Sequence, residues 1–294
     1  MKSEELKKIP MKNFIVRAIT GVLFVAAIVA SFLDPTAMVF LFALVTGLTI
    51  WEFTGLANDI EEVQVNRFIC TVAGVYFFVA VAGFSSGITP TGAVFIPYLL
   101  TIVYLFISEL YLKQPNPINN WAYTMLSQMY IALPFSTISV LAFNGTPDGI
   151  VQFNAILPLS VFIFLWLNDT GAYCIGSLLG KHRLFPRISP KKSWEGSIGG
   201  AVVVVLAAFA ISQLVENYSP LYSLLSPLEW IGLGLVVVVF GTWGDLVESL
   251  FKRTLGIKDS GNILPGHGGM LDRFDSSLMA FPAAVVYVYT LTII

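Results

Sequence analysis

The sequence predicts an all-α, polytopic membrane protein of about nine transmembrane helices with its N-terminus in the cytoplasm. Three observations carry that prediction. Of 294 residues, 56% are hydrophobic and only 12% charged, against roughly 25% charged in a soluble domain, so a water-soluble surface could not be covered with polar groups. Apolar runs of about 20 residues, the length one crossing needs, recur along the whole chain. The 16 Lys and Arg are confined to a few connections, as the bias of basic residues to one membrane face requires.

In chain order the expected spans are 14–33, 36–57, 68–84, 93–112, 121–143, 152–180, 196–215, 228–251 and 270–293. The third is short and the sixth long. The first run, from Phe14, exceeds a signal-peptide core and lacks a small-residue cleavage site, so it is expected to remain as a span. Pro134 and Pro158 fall inside spans, where neighbouring helices can satisfy the carbonyls a proline frees. Cys70 and Cys174 lie in apolar runs and read as small core residues rather than a disulfide.

Basic residues occur at the N-terminus (Lys2, Lys7, Lys8, Lys12, Arg17), at Arg67, at Lys113, over 181–192 and over 252–273. With nine spans these places alternate onto one side, while the connections near 34, 84–93, 143–152 and 216–227 carry neither Lys nor Arg. That side is expected to be the cytoplasm, with the basic N-terminus against anionic headgroups. The net charge of −2 adds little. Polar content divides the chain into 1–150, apolar helices for scaffold, lipid access and dimer contacts, and 151–294, which holds the charged loops and nearly all intramembrane acids. No internal repeat is evident.

Acids inside spans are costly and point to function. Asp245 and Glu248 stand three apart on one helix face, Asp272 and Asp275 repeat that spacing, and Asp169 lies within the sixth run. Such carboxylates repel in a low dielectric unless cations neutralise them, and hard oxygen donors suit Mg²⁺ better than zinc. The plainer alternative pairs each acid with a neighbouring cation, such as Asp275 with Arg253. The loop from Lys181 to Gly200 has several basic residues followed by Ser193, Trp194, Glu195 and Gly196. Ser193 reads as a helix N-cap beside an anion-attracting helix start; a merely topogenic loop would not need that proline, tryptophan and glycine. Pro265 to Gly269 carries glycines that bring N–H groups close to a phosphate, with His267 placed to donate to a phosphate oxygen. His182 reads as a surface residue. Glu52 and Glu109, near span ends, read as interfacial and are given no catalytic role.

These residues resemble the phosphatidate cytidylyltransferase (CDP-diacylglycerol synthase) family. The family's signature is met by Ser249, Lys252, Arg253, Lys258, Asp259, Gly261, Pro265, His267, Gly268, Gly269, Asp272, Arg273 and Asp275. Two further stretches match, 168–173 and 189–196, with Ser193 where threonine is commoner. The likeness covers about 165–280. It implies transfer of the cytidylyl group of CTP to phosphatidic acid, giving CDP-diacylglycerol and pyrophosphate, by a Mg²⁺-requiring homodimer in the inner (cytoplasmic) membrane, with membrane lipids around it and no nucleic-acid partner.

On that resemblance Asp245, Asp272 and Asp275 are expected to ligate Mg²⁺, with a second, monovalent cation allowed by the acid count. Lys252, Arg253, His267 and Asp169 join them as catalytic groups. Lys191, Lys192, Ser193, Trp194, Glu195, Ser249, Lys258, Asp259, Gly268, Gly269 and Arg273 are expected to bind substrate, in a polar pocket open to the cytoplasm with a lateral gap for acyl chains. Two rivals stand beside this: a CTP-dependent polyprenol or lipid kinase, distinguished by its products, and an ion-coupled transporter, which predicts inverted repeats and acids in both halves.

Overall fold

Asp34 opens the second helix by accepting the Ala37 N–H at 2.9 Å, with Pro35 fixing the first turn. Like signals start other crossings. Asn66 accepts from Ile69 N and Asn116 from Asn119 N, and Ser226 with Glu229 forms a reciprocal capping box ahead of Pro227. The computed structural model describes residues 11–145, 149–218, 225–263 and 268–293, and within them no side chain of 11–17, 218 or 292–293. Lys2, Lys7, Lys8, Pro265 and His267, and the side chains of Lys12 and Arg17, therefore lie outside the described residues.

The helices are α1 (Met11–Ser31), α2 (Pro35–Asn58), α3 (Arg67–Ser85), α4 (Ile96–Leu112), α5 (Pro117–Ser127), α6 (Leu133–Ala142), α7 (Ile156–Leu179), α8 (Trp194–Tyr218), α9 (Pro227–Thr254), α10 (Leu271–Phe274) and α11 (Ser277–Ile293). A π-turn, Gln128–Ala132, joins α5 to α6 into one crossing, and α10 with α11 makes another. Eight stretches are long and apolar enough to span a membrane, and Ala18–Ser31 of α1 supplies a ninth, shorter apolar run. The expected all-α polytopic fold is thus present.

Several details differ from the sequence reading. Two small antiparallel hairpins interrupt the helices: β1 (Phe143–Gly145) with β2 (Val151–Phe153), and β3 (Arg183–Phe185) with β4 (Ser189–Ser193). Pro158 sits in the first turn of α7 rather than mid-helix, where its missing N–H costs nothing. Pro134 stands two residues past the π-turn, which absorbs the displaced carbonyl register. Both cysteines are free, but only Cys70 is buried; Cys174 is exposed on α7.

The core is aromatic. Phe274 of α10 meets Phe24 of α1 at 5.4 Å and Phe135 of α6 at 5.3 Å, both edge-on, and lies 6.2 Å from Phe162 of α7. Such edge-to-face contacts add to burial. The short helix that carries Asp272 and ends at Asp275 is therefore anchored from several sides. At α7–α8 the backbones approach closely, since a Cβ at Gly171 would lie 3.1 Å from the Gly200 Cα, the small-residue packing that membrane helices use. Contacts gather the connections 59–66, 113–116 and 180–193, and the described residues 255–263 and 268–270, at one end of the bundle. Gln64 N donates to Asn120 Oδ1 at 2.7 Å, Asn120 Nδ2 to Glu109 Oε2 at 3.0 Å, and Lys192 pairs with Asp245.

Candidate active site

At that end α9 presents Asp245, Glu248, Ser249 and Lys252 on successive turns of one face. Ser249 Oγ donates to Asp245 Oδ1 at 3.2 Å. Lys252 Nζ bridges, 2.7 Å from Glu248 Oε2 and 2.7 Å from Asp272 Oδ1. The Glu248 side chain is 0% exposed, and neither of its oxygens has a well-aligned hydrogen-bond donor, so this ion pair is its compensation. Asp272 is held further by N–H groups: Ser260 N at 2.9 Å and Gly269 N at 2.8 Å both donate to Oδ2. Gly268 takes φ 84°, a left-handed conformation that glycine adopts without strain, and so turns the loop onto Asp272.

The second component is the β3–β4 hairpin. Ser193 Oγ caps α8 by accepting the Gly196 N–H at 3.2 Å, as expected. Glu195 turns back, accepting Lys181 N and His182 N at 3.2 Å and lying 2.5 Å from His182 Nδ1. His182 is exposed, as read, yet it is bonded. Its partner Glu195 is thereby engaged in holding the hairpin. The hairpin presents Lys191 and Lys192, and Lys192 forms an ion pair with Asp245.

Two cavities meet here. One, of about 270 Å³, is lined by Asp169, Asp245, Asp272, Asp275, Arg273 and Trp166 among others. The other, of about 470 Å³, is lined by Asp169, Asn168, Arg183, Lys191, Lys192 and Ser193 among others. Asp169 borders both. Acids from α7, α9 and α10–α11 thus converge, while Lys191 and Lys192 reach the same place from the hairpin. Asp275 pairs with no Arg253 here: Arg253 is exposed and donates to Ile257 O at 2.9 Å. Lys258 and Asp259 are exposed on the loop, and Trp194 is 56% exposed at the start of α8. His267 lies outside the described residues.

Among the described residues no three His, Cys, Asp or Glu side chains form a ready metal cluster. The donor set nonetheless suits a hard divalent cation. Four aspartates line one small cavity, all offering oxygen. Counting Glu248, five carboxylates face Lys192, Lys252 and Arg273, so one divalent charge would balance the ionised group.

Sequence reasoning gave Glu52 no role. The α2 carboxylate is in fact 7% exposed and embedded in the α9–α10 loop: Met270 N donates to it at 2.9 Å, Leu271 N at 3.0 Å, and Ser260 Oγ also donates to it. Nothing in local spacing links residues 208 positions apart. The only available signal was an acid inside a span. Glu248 was seen on the right face, but its full burial against Lys252 depends on α9 meeting α10.

Comparisons with known proteins bear on this arrangement. A model of the cytidylyltransferase family matches residues 14–291. A phosphatidate cytidylyltransferase from Haemophilus influenzae is 32% identical over 281 residues, covering 90% of this chain and 95% of the relative. Relatives of the same name in Staphylococcus aureus (strain COL) and Staphylococcus epidermidis are 40% identical over 161 residues and 48% over 124. Those matches take in 55% and 42% of this chain, and the chain spans about half the length of each, 56% and 45%.

Proposed function

The chain belongs to the cytidylyltransferase family, and on that premise we propose that it transfers the cytidylyl group of CTP to phosphatidic acid, giving CDP-diacylglycerol and pyrophosphate. The observation that carries this reading is Asp169 as common wall of an acidic and a basic cavity. A triphosphate gripped by the hairpin lysines would there lie beside the carboxylates of α9 and α10–α11.

An ionised phosphate oxygen of phosphatidic acid attacks the α-phosphorus of CTP in line. One P–O bond forms to the lipid phosphate, the bond to the oxygen bridging α and β breaks, and pyrophosphate leaves with its electron pair. The nucleophile is already ionised, so no residue has to remove a proton and no covalent enzyme intermediate is needed. The chain supplies position and charge. Lys191, Lys192, Lys252, Arg253, Lys258 and Arg273 grip the triphosphate and the lipid phosphate; Ser193 fixes the α8 start and Ser249 orients Asp245. Mg²⁺ held by Asp245, Asp272 and Asp275, with a second, monovalent cation beside it, would supply the neutralising charge that these cations leave unmet.

The protein acts as a homodimer in the inner (cytoplasmic) membrane with the charged end toward the cytoplasm, a placement supported by the confinement of Lys and Arg to connections at that end. An apolar groove of about 670 Å³ lined by Tyr130, Phe240, Met279 and Pro282 among others runs along α9 and α11, which suits acyl chains.

Purified protein in detergent, given phosphatidic acid, Mg²⁺ and CTP radiolabelled at the α-phosphate, should yield labelled CDP-diacylglycerol and unlabelled pyrophosphate in equal amounts. Labelled CDP with an unlabelled lipid phosphate would identify a kinase and overturn the reading.

A further inference from the structure

We propose that Glu52 of α2 is a positioning residue for this reaction, holding the α9–α10 loop so that Asp272 faces the cavity, although it touches no substrate. The proposal rests on the cytidylyltransferase reading of the site.

A carboxylate almost fully withdrawn from solvent needs either a cation or several directed donors. Among the described residues no Lys, Arg or His pairs with Glu52. Donors from the loop take their place. Oε2 accepts Met270 N at 2.9 Å, and Oε1 accepts Leu271 N at 3.0 Å together with the Ser260 hydroxyl. Ser260 then relays the constraint. Its oxygen accepts Asp272 N at 3.3 Å, and its own N–H donates to Asp272 Oδ2 at 2.9 Å. Gly269, just before the Glu52-bound N–H groups, donates to the same Oδ2 at 2.8 Å. Glu52 therefore grips both strands of the loop, at 260 and at 270–271, and Asp272 lies between them.

The glycines of the loop fit this account. A Cβ at Gly261 would come within 2.6 Å of Glu52 Oε2, and one at Gly269 within 2.1 Å of Oε1 and 2.3 Å of Ser260 Oγ. Any side chain at either place displaces the carboxylate. These two positions of the signature are the room that Glu52 occupies. The platform beneath is firm: Phe53, next to Glu52 on α2 and fully buried, stacks on Phe251 of α9 with centroids 5.0 Å apart. Ser260, at a position the signature leaves open, is the link that sequence matching does not mark.

The test pairs hydrogen exchange with kinetics on Glu52→Gln and Ser260→Ala. The carboxamide turns an N–H group toward a backbone donor and breaks part of the grip. In both variants the amides of 260 and 269–271 should exchange about tenfold faster while α2 and α9 keep their protection. The turnover number should fall about 10²-fold, with KM for CTP changed far less, because a group acting on Asp272 is misplaced rather than lost. Should Glu52→Gln not fold, Ser260→Ala decides, since it cuts the same chain from the loop side. Wild-type exchange and turnover in Ser260→Ala overturn the proposal, and so does faster exchange spread over the whole bundle in either variant. A wild-type protein that makes no CDP-diacylglycerol would instead sink the functional reading, and the exchange data would still report on the grip.

Discussion

Lys252 reaches two carboxylates at once, Glu248 Oε2 and Asp272 Oδ1, each at 2.7 Å. The two contacts do different work. Glu248 is fully buried and Lys252 is its ion partner, so removing the ammonium strands a charge, a loss of roughly 3–5 kcal/mol for a buried pair. Asp272 lines the cavity, where the same ammonium fixes a side chain that faces the proposed substrate site. Lys252→Ala should therefore lose both stability and turnover. Adding Glu248→Gln to it removes the stranded charge, so thermal unfolding in detergent should move back toward the wild-type midpoint. Formation of CDP-diacylglycerol from radiolabelled CTP should remain at least about 10²-fold down, because the Asp272 partner is still missing. A double variant that regained turnover as well would restrict Lys252 to charge balance.

At the scale of elements, the β3–β4 hairpin is the piece whose attachment can be cut without touching the bundle. Glu195, in the first turn of α8, holds it through Lys181 N, His182 N and the His182 ring, and the hairpin delivers Lys192 to Asp245. Glu195→Ala should loosen the hairpin and raise KM for CTP about tenfold, the worth of one or two charge-assisted hydrogen bonds, while the unfolding midpoint of the helices stays put. An unchanged KM would leave the loop a purely topogenic role. The eight long apolar helices among the described residues were legible because a run of about 20 apolar residues admits few other readings. The hairpins were not: strands of three to five residues are too short to show alternation. The acidic pairs on α9 and α10 could be read from their spacing, and the Ser193 cap from its place before a helix. That Asp169 joins two cavities, that Glu248 is wholly buried and that Glu52 grips a loop 208 residues away are consequences of helices meeting in three dimensions. No periodicity encodes them.

The whole molecule is asymmetric between its two ends, and on the proposed function that asymmetry decides whether CTP can reach the site. Connections 59–66, 113–116 and 180–193, with residues 255–263 and 268–270, gather at one end, and the described Lys and Arg belong to that end. At the other end the Tyr287 hydroxyl donates to Glu229 O at 3.0 Å, closing α11 against the start of α9; that end carries hairpin β1–β2 and no described basic residue. On the proposed orientation, with the basic end on the cytoplasmic side, the cavities would open toward the compartment that holds nucleotide triphosphates. With Cys70 and Cys174 replaced by alanine, a single cysteine at Glu61, exposed in the connection after α2, should resist a membrane-impermeant maleimide in intact spheroplasts and label after permeabilisation. A single cysteine at Thr91, in the connection before α4 and exposed, should label without it. Both sites sit outside the cavity linings, so each variant can be assayed for CDP-diacylglycerol formation in the same preparation. The opposite labelling pattern in an active preparation would put the acidic cavity on the outer face, out of reach of cytoplasmic CTP, and the proposed orientation would have to be reversed.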